Sequence, residues 1–212
     1  MLLNTLQAIL FDIDGTLLDT FDFIYGAFEH AFELHGVERL SRERISHLMG
    51  GPLEEVYMEM APGHDVTALC QAHRTFQSEN LHLARLFPDT LSVLEGFRAR
   101  GIKIGAITTR SIRTSIRSLE QTGIVHLFDI IISAEDVVRV KPDPEPLLKA
   151  LDVFGVKPAD AIMVGDTAAD IMAGKNAGVK TVAALYGFGG ERLLELQPDY
   201  AIASLIDLFQ FL

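Results

Sequence analysis

The chain has 212 residues, 49% hydrophobic and 22% charged, with 18 basic side chains against 29 acidic ones and a formal net charge of −11. Such a length suits one domain, or one domain carrying an inserted subdomain, and buries a core without disulfides or structural metals. The composition excludes disorder, collagen and coiled coil as overall readings. Acidity without any Lys/Arg-rich run argues against nucleic acid or an anionic membrane surface as partner. An anionic ligand would therefore need positive charge supplied locally, for example by a metal.

The first apolar run, Leu6–Phe11, reads as a buried strand. It is preceded by no basic segment and runs directly into Asp12-Ile13-Asp14, so the N-terminus is a poor signal peptide. Residues 18–84 then hold only helical patterns. Phe21, Ile24, Phe28 and Phe32 form a stripe that stops at Gly36, Ser41 suits the cap of a second helix, Pro52 opens a third and Asp65 a fourth. From there strands and helices alternate. Pro88 opens a helix with Leu91, Leu94 and Phe97 on one face, closed by Gly101; the strand Ile102–Ile107 follows, then a helix from Ser111 to Thr122. Ile130–Ile132, a helix from Pro144 to Phe154, Ala161–Val164 and Thr181–Leu185 complete the pattern. Alternation of this kind predicts an α/β fold, a Rossmann-like parallel sheet covered by helices. The division is into a core of residues 1–17 and 85–212 and an inserted helical cap of residues 18–84, with joints near 17–19 and 84–87. Cys70, the single cysteine, falls in an apolar helical pattern and reads as buried filler. A lone cysteine fits a reducing compartment, and no segment reaches the ~18 apolar residues of a membrane span. A cytoplasmic location is expected.

Chemistry is concentrated at four strand or loop ends. Ligands of open parallel sheets bind beyond the carboxyl ends of the strands, where the first strand delivers Asp12, Asp14, Gly15 and Thr16. Two carboxylates that close repel by roughly 4 kcal/mol at an effective dielectric near 20, so a shared proton, a cation or diverging backbone at Gly15 must relieve them. Asp, Gly and Thr also suit an ordinary strand-to-helix corner. Thr108-Thr109-Arg110 follow the next strand and precede a helix, a favourable anion site. Lys141 leads the stiff run Pro142-Asp143-Pro144-Glu145-Pro146, which reads equally as a surface lysine in a proline-rich loop. Gly165-Asp166 is followed by Asp170, and aspartates four apart share one face of a helix's first turn, a setting that suits Mg²⁺.

Together these residues resemble the haloacid dehalogenase superfamily of phosphohydrolases, in the form with a small helical cap after the first motif. The matching motifs are Asp12-x-Asp14-Gly15-Thr16, Thr108, Lys141 and Gly165-Asp166-x-x-x-Asp170, spread over nearly the whole chain. The phosphoglycolate phosphatase group is the nearest broad relative, and the run from Lys141 to Pro146 together with Thr108-Thr109 also resembles its bacterial pyrophosphatase branch. The resemblance implies that Asp12 is a nucleophile forming an aspartyl phosphate and that Asp14 acts as acid, then base. It implies phosphoryl contacts from Thr108, Thr109 and Lys141, and Mg²⁺ held by Asp12, the Asp14 carbonyl, Asp166 and Asp170. The expected partner is a small phosphorylated metabolite, phosphoglycolate first and pyrophosphate second. Phosphoglycolate-type relatives often carry Asn where Thr109 stands, sugar phosphomutases usually have Val or Ile in place of Thr16, and the dehalogenases themselves lack the second aspartate.

In the cap, Met49-Gly50-Gly51-Pro52 matches the family's specificity loop, with Gly51 able to approach a ligand; an ordinary helix–helix turn would look the same. Six of the seven histidines lie in the cap without metal-ligand spacing, which favours packing roles. A second anionic group on the substrate would need Arg39, Arg42, Arg44, Arg74 or Arg110. The competing class is a phospho-accepting receiver domain, which also gathers acids, a Thr and a Lys at strand ends; it needs neither Asp14 nor a helical lid. Residues 18–84 carry 4 basic and 11 acidic side chains, while the remainder holds 14 and 18, four of those acids being Asp12, Asp14, Asp166 and Asp170.

Overall fold

The structure is a computed structural model that describes residues 6–211. Met1–Thr5, the start of the stretch weighed as a signal peptide, lie outside the described residues. β1 (Ala8–Phe11) is an unbroken apolar run buried along its whole length, as the centre of a parallel sheet requires. Leu6 and Gln7, expected within it, precede the strand. Gln7 instead bonds Asp160 through both its backbone N–H and its side-chain amide.

β2 (Leu18–Asp19) leads into four helices, α1 (Phe21–His35), α2 (Arg42–Ser46), α3 (Leu53–Met60) and α4 (Val66–Glu79), and β3 (Arg85–Leu86) leads out of them. β2 and β3 pair antiparallel, Leu18 opposite Leu86 and Asp19 opposite Arg85, so one short ribbon carries the chain both into and out of the helices. Two-residue strands show no alternation, which is why the sequence does not signal them. The expected caps are in place: Ser41 Oγ accepts from the Arg44 N–H and Asp65 Oδ1 from the Ala68 N–H. Ile24, Phe28 and Phe32 of α1 bury against Tyr57 of α3 and Leu69 and Cys70 of α4, and Phe21 is half-buried.

The rest of the chain alternates: α5 (Thr90–Ala99), β4 (Lys103–Ile107), α6 (Ile112–Gln121), β5 (Ile130–Ile132), α7 (Glu145–Phe154), β6 (Ala161–Gly165), α8 (Ala168–Ala177), β7 (Lys180–Ala184) and β8 (Tyr200–Ile202). α5 begins at Thr90 rather than Pro88 because Asp89 takes a positive φ of 66°. Its buried face is Val93, Leu94 and Phe97, while Leu91, expected on that face, is 44% exposed. β4 starts one residue later than expected, at Lys103, and β7 spans Lys180–Ala184 rather than Thr181–Leu185. β8 was too short and too polar at Tyr200 to be read.

Six strands form one sheet in the order β5-β4-β1-β6-β7-β8, every pairing parallel. The order reverses about β1, which lies between β4 and β6. The carboxyl ends of these three neighbours open a crevice of the kind that binds ligands in such sheets. Among the described residues no helix is long and apolar enough to cross a membrane.

Candidate active site

Asp12 follows β1, Thr108 follows β4 and Asp166 follows β6, so sheet order alone brings the three expected strand-end motifs side by side. Lys141 arrives from the loop before α7 and Asp170 from the first turn of α8. Lys141 is 2% exposed, and its ammonium donates to Asp12 Oδ1 at 2.5 Å, Asp170 Oδ1 at 2.6 Å and the Ile107 carbonyl at 2.9 Å. The bland reading of a surface lysine is thereby excluded. Asp166 is also fixed from both sides, accepting from Thr16 Oγ1 at 2.8 Å and from the Phe188 N–H at 2.7 Å. Asp170 Oδ2 accepts from the backbone N–H and hydroxyl of Thr167, closing a capping box at the start of α8.

Gly15 shows why the first motif needs its glycine. Its φ is +81°, and a Cβ there would stand 2.2 Å from Asp166 Oδ2. The chain must pass that close to Asp166 for Asp12 and Asp14 to face the same cavity.

Carboxylate oxygens of Asp12, Asp166 and Asp170 lie within 4.8 Å of one another, and all three residues are buried. One ammonium against three carboxylates leaves two negative charges without a cationic partner among the described residues. Burial, opposed by Lys141 and reinforced by Asp170 and Asp14, pushes the Asp12 carboxyl up to about 7. Burial and the charges of Asp12 and Asp170 push Asp166 well above the ordinary carboxylate range. Burial works against the Lys141 ammonium, but the adjoining Asp12 and Asp170 hold its pKa above the ordinary lysine value. Hard oxygen donors, close spacing and two uncompensated charges fit one divalent cation such as Mg²⁺.

The Asp14 side chain stands outside this triad. Both its oxygens accept from Arg110 Nη1, at 2.9 and 3.3 Å, and Arg110 Nη2 donates to the Thr114 carbonyl and Ser118 Oγ. Arg110, weighed as a partner for a second substrate anion, is therefore committed to Asp14 and α6, and only its buried Nε lacks a partner. Thr108 is 5% exposed and its Oγ1 accepts from the Arg110 N–H.

Above the triad a cavity of about 320 Å³ lies between the sheet and the helices of residues 21–79. Asp12, Asp14, Thr108, Thr109, Lys141 and Gly51 all line it, whereas the fully buried Asp166 and Asp170 are not among its lining residues. Phe188, from the loop after β7, packs on Phe21 and Tyr25 of α1 with ring centroids 4.6 and 5.8 Å apart. His73, Arg74 and Gln77 of α4 also reach the cavity. His73, expected to pack, is buried and also forms part of the cavity wall. No sequence signal marks Gln77 as a cavity residue.

A fold of this type with an acidic strand-end cluster beneath a helical lid is that of a hydrolase family, and residues 9–184 match the model of the haloacid dehalogenase-like hydrolases. The chain belongs to that family. Among curated relatives it is 35% identical over 208 residues to pyrophosphatase PpaX of Bacillus pumilus, covering 97% of this chain and 95% of the relative. It is 32% identical to pyrophosphatase PpaX of Halalkalibacterium halodurans, covering 96% and 95%. Among solved structures, a haloacid dehalogenase-like family hydrolase from Streptococcus pneumoniae superposes with a TM-score of 0.89 at 27% identity, covering 99% of both chains. A structure described as a predicted phosphoglycolate phosphatase from Haemophilus somnus superposes at 0.90 with 22% identity, covering 98% of each chain, a likeness of fold.

Proposed function

We propose that this protein is a Mg²⁺-dependent phosphohydrolase that works through an aspartyl phosphate on Asp12. The observation that carries the reading is the buried Asp12–Lys141–Asp170 contact, with Asp166 beside it, at the floor of a covered cavity. Lys141 holds one oxygen of Asp12, and the other accepts no hydrogen bond from the described residues, leaving it available to attack phosphorus. Attack forms the Asp12–phosphorus bond as the bond to the leaving oxygen breaks, and Asp14 donates a proton to that oxygen. Water then attacks the phosphorus, Asp14 takes its proton, and Asp12 is released with inorganic phosphate. Thr108, Thr109 and Lys141 bind the phosphoryl oxygens, Gly51 closes the cavity from the cap side, and the two contacts from Arg110 orient Asp14. Asp12, Asp166, Asp170 and the Asp14 carbonyl would hold Mg²⁺, which would supply charge neutralisation between the carboxylates and the phosphoryl group.

For the substrate we favour inorganic pyrophosphate over phosphoglycolate. The support is the 35% identity over nearly the full length to proteins named pyrophosphatase, against fold likeness alone to the phosphoglycolate group. The partner is thus a small phosphorylated molecule rather than nucleic acid or membrane, and the one cysteine, buried and unpaired, suits the cytoplasm.

The test is steady-state phosphate release from pyrophosphate, phosphoglycolate and phenyl phosphate with Mg²⁺. Asp12→Asn should abolish turnover of every substrate while leaving thermal unfolding cooperative, and EDTA should silence the wild type until Mg²⁺ is restored. Retained turnover in Asp12→Asn, or a long-lived stoichiometric phospho-adduct without turnover in the wild type, refutes the assignment; the latter points to a receiver domain.

A further inference from the structure

The cap-side wall of the cavity carries polar groups that the phosphoryl-transfer chemistry does not use. Gln77 is 7% exposed, lines the cavity, and its side-chain amide makes no hydrogen bond to any described residue. The amide is open to the cavity rather than sealed in the core, since the buried unpaired side-chain atoms among the described residues are Thr20 Oγ1 and Arg110 Nε, so a ligand in the cavity can complete it. One helical turn away, His73 is 3% exposed and lines the same wall. Its Nδ1 lies 2.9 Å from the hydroxyl of Tyr57, which is fully buried and lies behind the cavity wall rather than in it.

That contact fixes the histidine's proton. Burial holds the Tyr57 phenol far above its ordinary value, so it keeps its O–H, and a buried O–H needs an acceptor. His73 Nδ1 is the one acceptor it has among the described residues, so Tyr57 donates and the neutral ring carries its own proton on Nε2. Burial, with the charges of Arg110 and Arg74, pushes His73 down to about 3 and keeps the ring neutral at working pH. His73 Nε2 is thus a donor without an acceptor among the described residues, on the wall that the unpaired Gln77 amide also lines.

Arg74 stands at the rim of the same wall, half-exposed and paired through one nitrogen with Glu54 at 2.5 Å. Three donors on one helix therefore line the same cavity as Asp12, together with apolar walls from Ile24, Phe28 and Val56. Glu54, the carboxylate on the same wall, is taken up by Arg74, and the donors left unpaired favour an oxyanion.

We infer that His73, Gln77 and Arg74 form a subsite for a compact oxyanion on the leaving group, the second phosphate of pyrophosphate or the carboxylate of phosphoglycolate. This rests on the phosphohydrolase reading and adds to it the residues that choose the substrate. Hydrogen bonds to a charged group contribute about 1.5–3 kcal/mol each, which sets the scale of roughly tenfold or more per donor lost.

The experiment compares wild type with Gln77→Leu and with the isosteric Gln77→Glu, which keeps the test open if the leucine variant does not fold. kcat/KM is measured for pyrophosphate, phosphoglycolate and phenyl phosphate, the last having no second oxyanion, together with calorimetric binding of methylenediphosphonate. Both variants should lose roughly tenfold or more in kcat/KM on the oxyanion-bearing substrates, mainly through KM, and at least fivefold more than on phenyl phosphate. Methylenediphosphonate should bind roughly tenfold more weakly, and weakest to Gln77→Glu. The larger loss, on pyrophosphate or on phosphoglycolate, tells which oxyanion the subsite was built for. Equal losses on all three substrates, or unchanged methylenediphosphonate binding, overturn the subsite. If the wild type turns over none of the three but binds methylenediphosphonate in a Gln77-dependent way, the hydrolase reading fails and the subsite stands.

Discussion

Replacing Lys141 by methionine removes the one positive charge in a buried acidic cluster while keeping most of the side-chain volume. The ammonium lies 2.5 Å from Asp12 and 2.6 Å from Asp170. At an effective dielectric near 20, each contact carries about 6 kcal/mol of coulombic attraction. Most of that attraction is offset by the cost of taking the ions out of water. What the substitution exposes is the uncompensated charge left behind, about 3–5 kcal/mol for breaking a buried pair from one side. For a chain of this size that corresponds to a fall of roughly 6–20 °C in Tm. The measurement is thermal unfolding in EDTA at pH 8, with and without added Mg²⁺. The penalty should shrink when metal is added, because a divalent cation compensates the same carboxylates; saturation to about 100 Kd contributes about 2.7 kcal/mol. It should shrink again as pH falls. Asp12 is already raised to about 7 in the wild type, and losing Lys141 removes the contact that lowers it. A carboxyl raised in the folded state binds its proton before the unfolded chain does, so acidification between pH 7 and about 4 favours the native form. A Lys141→Met protein that unfolds in metal-free buffer at the wild-type temperature would refute the view that Lys141 compensates this cluster.

His73 supplies a pH test of the opposite sign. Its folded value of about 3 lies below the unfolded value near 6.5, so its contribution is full above pH 6.5 and is lost on acidification toward 3. From pH 7 to 5 this one group removes about 2 kcal/mol, and urea midpoints of wild type and His73→Phe should converge across that range. Comparison of the two proteins is essential, since Asp12 works the other way. Parallel midpoint curves would mean that His73 is not held neutral. Gly50 offers a test of the cap loop. Its φ is +99°, and a Cβ there would stand 2.8 Å from Thr167 Oγ1 and 3.2 Å from Ala169 Cβ. Gly50→Ala should cost about 1–3 kcal/mol and raise KM several-fold by lifting the loop from the start of α8; an unchanged KM would separate that loop from substrate binding.

The core was legible because its physics is local. A buried parallel strand is a short apolar run, and the residue after it is at the site by topology, so Asp12, Thr108 and Asp166 were placed before any strand order was known. Lys141 and Asp170 were legible only jointly with the others, since a lysine before prolines and an aspartate in a first helical turn each have ordinary explanations. The β2–β3 ribbon was illegible for want of length, and the helix start at Thr90 because Asp89 adopts a left-handed conformation that the preceding proline does not announce.

What pattern reading could not reach is anything decided by a second element. Arg110 follows Thr108 in sequence, and only the fold shows that it turns to Asp14, 96 residues earlier. The histidine at 73 fits a packing stripe whether or not its far nitrogen meets a cavity; the distinction is made by Tyr57 on α3, which takes Nδ1 and leaves Nε2 without an acceptor among the described residues. The same division runs through the charge. Residues 18–84 are strongly acidic, yet the side chains that α4 turns toward the cavity are one arginine and two neutral donors. Glu54 of α3 also lines the cavity but is paired with Arg74, and the other acids of these helices are not among its lining residues. An anion approaching Asp12 therefore meets donors on both sides: Thr108 and Lys141 from the sheet, His73, Arg74 and Gln77 from α4. The acidity that argues against nucleic acid is thus compatible with a phosphorylated ligand, because Arg39, Arg42 and Arg44 pair with acids on the outside while α4 turns donors to the cavity.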